Sequence, residues 1–81
     1  MIDHYVNETC YYFPSVIDFA DRFHYSYKWS FDDFTFAEGY KVSHIWKHQG
    51  DHIITLTVTN LSNNYSSVYK ITQRIGLPGI V

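Results

Sequence analysis

From position 23 to position 32 every second side chain is aromatic: Phe23, Tyr25, Tyr27, Trp29 and Phe31 alternate with His24, Ser26, Lys28, Ser30 and Asp32. Successive side chains of an extended strand point to opposite faces, so this spacing predicts a strand with one buried and one wet face. A one-residue slip would turn five rings into water, which fixes the register as well as the conformation. Two further runs carry the same period. Tyr40, Val42, His44 and Trp46 share one face of a strand that follows a loop over residues 32–39. Beyond Gly50, His52, Ile54, Leu56 and Val58 share another, with Ile53 and three threonines opposite. The turn Leu61-Ser62-Asn63-Asn64 leads to a last strand over residues 67–75, with Tyr69, Ile71 and Ile75 expected to point inward.

The first 22 residues are less periodic. A strand is expected near residues 2–6 and a second within residues 11–19, where Pro14 confines it to an edge or splits it. Phe13, Ile17 and Phe19 are its expected core contributions. No helix longer than one turn is expected. Short strands joined by turns at this spacing imply an all-β fold, a two-sheet antiparallel sandwich of about seven strands. One domain over residues 1–75 is followed by an exit linker, residues 76–81, which contains Gly76-Leu77-Pro78-Gly79.

A chain this short buries only ~60% of the surface its unfolded form exposes. With Cys10 alone, no internal disulfide can compensate. The sixteen rings, eight Tyr, six Phe and two Trp, must supply the core instead, and each can bury ~150–250 Å². Tyr27, Trp29, Phe31, Val42, His44, Trp46, Ile54, Leu56, Val58 and Ile71 are the predicted structural core. Tyr5, Tyr11, Tyr12, Phe34, Phe36 and Tyr65 are the side chains expected nearest the surface. There, rings can contact a partner or stack on sugars. Cys10 has two readings: a thiol that pairs outside the segment, or a small buried apolar residue.

Charge excludes some partners. The six cations are scattered and the net charge is −2, so no run of Lys or Arg follows a phosphate backbone and nucleic acid is not an expected partner. No stretch approaches the ~20 apolar residues that span a bilayer, so direct membrane insertion by this segment is not expected. Met1-Ile2-Asp3-His4 lacks the basic and apolar regions of a secretion signal. An extracellular location therefore implies a longer membrane or secreted precursor. Support for that location comes from Asn7-Glu8-Thr9, Asn60-Leu61-Ser62 and Asn64-Tyr65-Ser66, acceptor triplets that make Asn7, Asn60 and Asn64 candidate glycosylation sites.

Chemistry-bearing clusters are sparse. His44, His48 and His52 are spaced by four, which suits a zinc site on a helix, but Gly50 and the strand alternation oppose a helix there. Asp32 and Asp33, joined by Glu38, are weak candidates for Ca²⁺, a cation that wants six to eight oxygens; a turn cap is the plainer role for Asp32. Adjacent carboxylates on a strand point apart and do not make a glycosidase pair. No catalytic residue and no cofactor is predicted.

Trp29-Ser30-Phe31-Asp32-Asp33 resembles the Trp-Asp-Phe-Gly-Asp-Gly signature of the PKD (polycystic kidney disease) domain family. Val42-Ser43-His44-Ile45-Trp46 is similar to that family's Val-x-His-x-Tyr strand. The run from Gly50 to Asn60 is similar to its Gly-x-Tyr-x-Val-x-Leu-x-Val-x-Asn strand. The match covers residues 23–75. Ser30 replaces the first Asp, Asp32 and Phe34 occupy the two glycine positions, and Trp46 and His52 stand where tyrosines are usual. The resemblance implies an immunoglobulin-like β-sandwich that serves as a non-catalytic extracellular module of a cell-surface glycoprotein. Its role would be adhesion, contact with a protein partner or with neighbouring domains of the same chain, or spacing. The alternative it implies is an ancillary polysaccharide- or collagen-binding domain of a secreted hydrolase.

Overall fold

A computed structural model describes residues 2–77. Seven strands are present among them: β1 (His4–Tyr5), β2 (Thr9–Tyr12), β3 (Tyr25–Phe31), β4 (Phe36–Glu38), β5 (Val42–Ile45), β6 (Gly50–Asn60) and β7 (Ser66–Gly76). They form two sheets, one of five strands in the order β1-β7-β6-β3-β4, the other of β2 and β5. All pairings are antiparallel except β1 with β7. The all-β, two-sheet sandwich of seven strands expected from the alternation is therefore the observed architecture, and it is consistent with the immunoglobulin-like fold that the family resemblance implies.

Register follows the hydrophobic pattern. Tyr27, Trp29 and Phe31 of β3 stand opposite Val58, Leu56 and Ile54 of β6, and all six are buried. The small sheet closes over them. Tyr12 packs on Trp29 and Phe31 at centroid distances of 6.3 and 5.9 Å, and His44 stacks on Phe31 at 4.0 Å. Cys10, Val42, Trp46 and Ile75 complete much of the dry interior. Every buried polar side-chain atom among the described residues has a partner, as a low-dielectric interior requires.

Several expectations need correction. Ile71 faces inward, opposite Ile54, yet it is 49% exposed, and Tyr69 beside it is also exposed. The inner face of β7 is covered at its Gln73–Ile75 end, where Tyr12 reaches Gln73, and left open around Tyr69 and Ile71, because the two strands of the covering sheet do not extend over that part. Tyr12 is buried rather than superficial: its hydroxyl donates to Gln73 Oε1 and accepts from Trp46 Nε1 at 3.0 Å. Phe23 does not continue β3. It lies in a 3₁₀ helix, Phe19–His24, and is exposed beneath the Arg22 guanidinium. The reason is the length of the partner strand: β6 ends at Asn60, opposite Tyr25, and after one further bond, from the Leu61 N–H to the His24 carbonyl at 3.0 Å, the chain turns away and leaves no ladder for Phe23. Phe13 and Phe19 are likewise exposed, and Ile17 alone of the three packs on the core. The last strand runs through Gly76, the first residue of the expected linker, while residues 78–81 lie outside the described part of the chain.

Candidate interaction surface

The acidic turn after β3 is a pair of histidine clamps. Asp32 accepts from the Ile53 backbone N–H at 2.7 Å and pairs with His52 Nδ1 at 2.8 Å. Asp33 accepts from the Thr35 N–H and hydroxyl and pairs with His44 Nε2 at 2.8 Å. Burial opposes ionisation of Asp33, but the bonds from Thr35 and His44 outweigh it and hold its carboxyl below the usual range. Each carboxylate is thus committed to a different strand, Asp32 to β6 and Asp33 to β5, and the two do not converge as calcium ligands would. Glu38 is on β4, opposite Lys28. The histidine triplet is equally dispersed. His44 serves Asp33, His52 serves Asp32, and His48 contributes its carbonyl to His52 Nε2 at 2.7 Å. These residues shape the turn and bind its flanking strands together.

Trp46 sits between the clamps. It is fully buried, stacked on His52 at 4.2 Å and edge-on to His44 and Phe31. His44 is half-buried in the same stack. Trp29, also buried, donates its indole N–H to the Gly39 carbonyl at 2.8 Å.

Among the described residues, two exposed apolar surfaces lie next to the core strands. The first is the β3–β4 turn, where Phe34 is 92% exposed at a φ of 67° and Phe36 is 75% exposed. A bulky side chain in the left-handed region is an outlier, held here by bonds from the Phe34 and Phe31 N–H groups to the Phe31 and Thr35 carbonyls. The second is an apolar cleft of about 210 Å³ on the uncovered part of the inner face of β7. Phe13, Val16, Tyr69 and Ile71 form its exposed walls, and Trp29, Ile54 and Leu56 contribute beneath them. It is smaller than the ~300–1,000 Å³ of sites that engulf a small molecule. Beside it, β2 pairs with β5 along one edge and leaves the other unpaired among the described residues.

Asn7 and Asn64 are exposed and in the left-handed region, at φ 67° and 60°. Asn60 is half-buried, and its side-chain oxygen accepts from the Ser62 N–H and hydroxyl. Cys10 is fully buried, so in this fold its sulfur is closed to a second chain. Sequence reasoning missed the Tyr12–Trp46–Gln73 relay and both histidine clamps, whose partners are separated by 11 to 61 residues. The alternation Cys10, Tyr12 on one face of β2 was the available signal for the first.

Residues 15–75 match the family model described as PKD domain. No curated protein matches the chain. No helix among the described residues is long and apolar enough to cross a membrane.

Proposed function

This chain belongs to the PKD domain family, and on that premise we propose that it is a non-catalytic, immunoglobulin-like module of a larger cell-surface glycoprotein, working through protein–protein contact. The observation that carries the reading is the uncovered part of the inner face of β7. Phe13, Val16, Tyr69 and Ile71 leave apolar surface in water beside an unpaired strand edge. Such surface favours a covering protein segment over solvent, and an open edge suits a segment that adds as a strand. The three acceptor triplets support an extracellular location, with Asn7 and Asn64 exposed.

The test places a photoreactive amino acid at position 71 in the intact parent glycoprotein. The expected result is a cross-link to a defined protein segment, mapped by mass spectrometry, with glycans on the accessible asparagines. Absence of any cross-link in the assembled glycoprotein overturns the contact role. Unmodified Asn7, Asn60 and Asn64 in material from a eukaryotic secretory host remove the support that the acceptor triplets give to that location.

A second reading has its own support in Phe34 and Phe36, two rings projecting from one turn. On a secreted hydrolase such a pair can stack on sugar rings of a polysaccharide. Specific glycan binding that is lost in Phe34→Ser selects this reading over the first.

A further inference from the structure

We propose that His4, Glu8 and Cys10 form a zinc site at the crossing between the two sheets. The backbone builds it. After β1 the chain reverses in a tight turn closed by the Glu8 N–H on the Tyr5 carbonyl at 3.2 Å, with Asn7 in the left-handed region. The reversal brings residue 8 back beside residue 4 before the chain enters the second sheet as β2. His4 Nδ1 and Glu8 Oε2 are 2.7 Å apart. Cys10 follows two residues along the chain, buried in β2. Its sulfur lies 3.7 Å from the Glu8 carbonyl oxygen. One imidazole nitrogen, one carboxylate oxygen and one sulfur thus lie within 4.8 Å of one another.

The donor set selects the ion. Zn²⁺ takes sulfur at about 2.3 Å and nitrogen or oxygen at about 2.0–2.2 Å, which sets tetrahedral ligand atoms roughly 3.3–3.8 Å apart. The widest separation of 4.8 Å must therefore close by about 1–1.5 Å. The movable partners can supply that, because Glu8 is exposed and His4 half-exposed while Cys10 is fixed in β2. Calcium and magnesium are disfavoured by a set with a single oxygen side chain beside nitrogen and sulfur. Glu8 is already oriented, because its Oε1 accepts the Tyr5 N–H at 3.1 Å, while its Oε2 is held by His4 Nδ1 at 2.7 Å. On binding, that His4–Glu8 contact opens: the imidazole shifts its proton to Nε2 so that the Nδ1 lone pair and Oε2 both turn to the ion. The Cys10 S–H bond breaks, its proton passes to solvent, and nitrogen–, oxygen– and sulfur–zinc bonds form. One thiolate and one carboxylate then neutralise the dication. Three protein ligands leave a fourth position on the solvent side for water.

Cobalt(II) provides the readout. Titration of the reduced, metal-free protein should give a thiolate-to-cobalt charge-transfer band in the near ultraviolet, displaced by one equivalent of Zn²⁺. Saturating Zn²⁺ should raise the thermal midpoint by mass action. Because Cys10 is a core residue, Cys10→Ser can fail to fold, so the decisive variants are His4→Ala and Glu8→Gln at the accessible ligands. Each should retain the wild-type fold by circular dichroism and weaken zinc binding at least about tenfold. No charge-transfer band from the folded wild type overturns the proposal. Zinc affinity unchanged in His4→Ala overturns it as well.

Discussion

His52 has no neutral form that satisfies its surroundings. Nδ1 meets the Asp32 carboxylate at 2.8 Å and Nε2 meets the His48 carbonyl at 2.7 Å, and both partners are acceptors. Both ring nitrogens must therefore carry protons, which makes the ring an imidazolium, stacked on Trp46. Burial works against that charge, but the His48 carbonyl and Asp32 outweigh it and raise the pKa above its ordinary value of 6.5. A raised pKa contributes stability that is complete below about pH 6.5 and is lost as the pH climbs through the folded-state value. Asp33 works in the opposite sense: its carboxyl is held low, so its contribution is complete above about pH 4 and fades in acid. The thermal midpoint should therefore be highest between about pH 4.5 and 6.5 and decline as the pH rises above about 6.5. His52→Gln should flatten the alkaline decline. A midpoint that rises over that alkaline range in the wild type would contradict the imidazolium. Phe34 makes a second residue-scale case. Left-handed backbone costs a non-glycine residue about 1–2 kcal/mol, and a ring 92% exposed recovers little by packing. Glycine removes that strain but loses about 0.4–1 kcal/mol through a freer unfolded chain. Phe34→Gly should thus stabilise by about 0.5–1 kcal/mol, read as a higher urea midpoint. A lower midpoint would mean that the ring supports the turn. Phe34 was legible in the sequence, as a residue at a family glycine position and as a ring expected at the surface, whereas the His52 clamp was not. Asp32 and His52 are 20 positions apart, and their meeting depends on how β3 and β6 are aligned.

Among the elements, β6 and β7 separate what alternation can reveal from what it cannot. Ile54 and Ile71 are directly opposed in the ladder and face the same side. Period two assigned both to the inner face, and it was right about direction. It carries no information about the roof. Ile54 lies under the small sheet and is 1% exposed, whereas Ile71 stands at the open cleft and is 49% exposed. One pair of isoleucines therefore yields a controlled comparison. Ile54→Ala should cost about 2–5 kcal/mol as a core truncation. Ile71→Ala should cost under about 1 kcal/mol, as half-exposed surface gives up less on removal. Urea denaturation of the isolated chain measures both, and equal losses would mean that the cleft is closed in solution. The same logic explains the first third of the chain. Strands β3, β5 and β6 declared themselves because their faces are covered, so apolar and polar residues had to alternate. Residues 13–24 lie in a loop and a 3₁₀ helix, where no period of two applies, and Phe13, Phe19 and Phe23 could not be assigned from spacing. The matched family pattern was strongest where alternation was strongest, over the same strands.

At the scale of the whole molecule the two sheets share one core, and Trp46 is central to it. It follows β5 in the small sheet, stacks on His52 of β6, meets Phe31 of β3 edge-on at 5.7 Å and donates to the Tyr12 hydroxyl of β2. Tyr12 passes the link on to Gln73 of β7. One indole therefore connects four strands directly and a fifth through a single hydroxyl. A chain of 81 residues has about 4–12 kcal/mol of stability to lose. Removing a buried tryptophan costs about 3–5 kcal/mol by cavity formation alone. Loss of the indole N–H also takes a hydrogen bond from a hydroxyl that burial already isolates from water. Trp46→Ala should consequently abolish the cooperative thermal transition or move it down by tens of degrees. Trp29→Ala, by contrast, removes a ring that bonds within the larger sheet and its adjoining loop. It should be severe but leave Tyr12, Trp46 and His52 in contact. A Trp46→Phe variant separates packing from hydrogen bonding: it keeps an aromatic ring against His52 and should retain a cooperative transition at a lower midpoint. If Trp46→Ala melts cooperatively within a few degrees of the wild type, the sheets are held together elsewhere. The exposed cleft along β7 would then be the first place to look for a second copy acting as the missing cover.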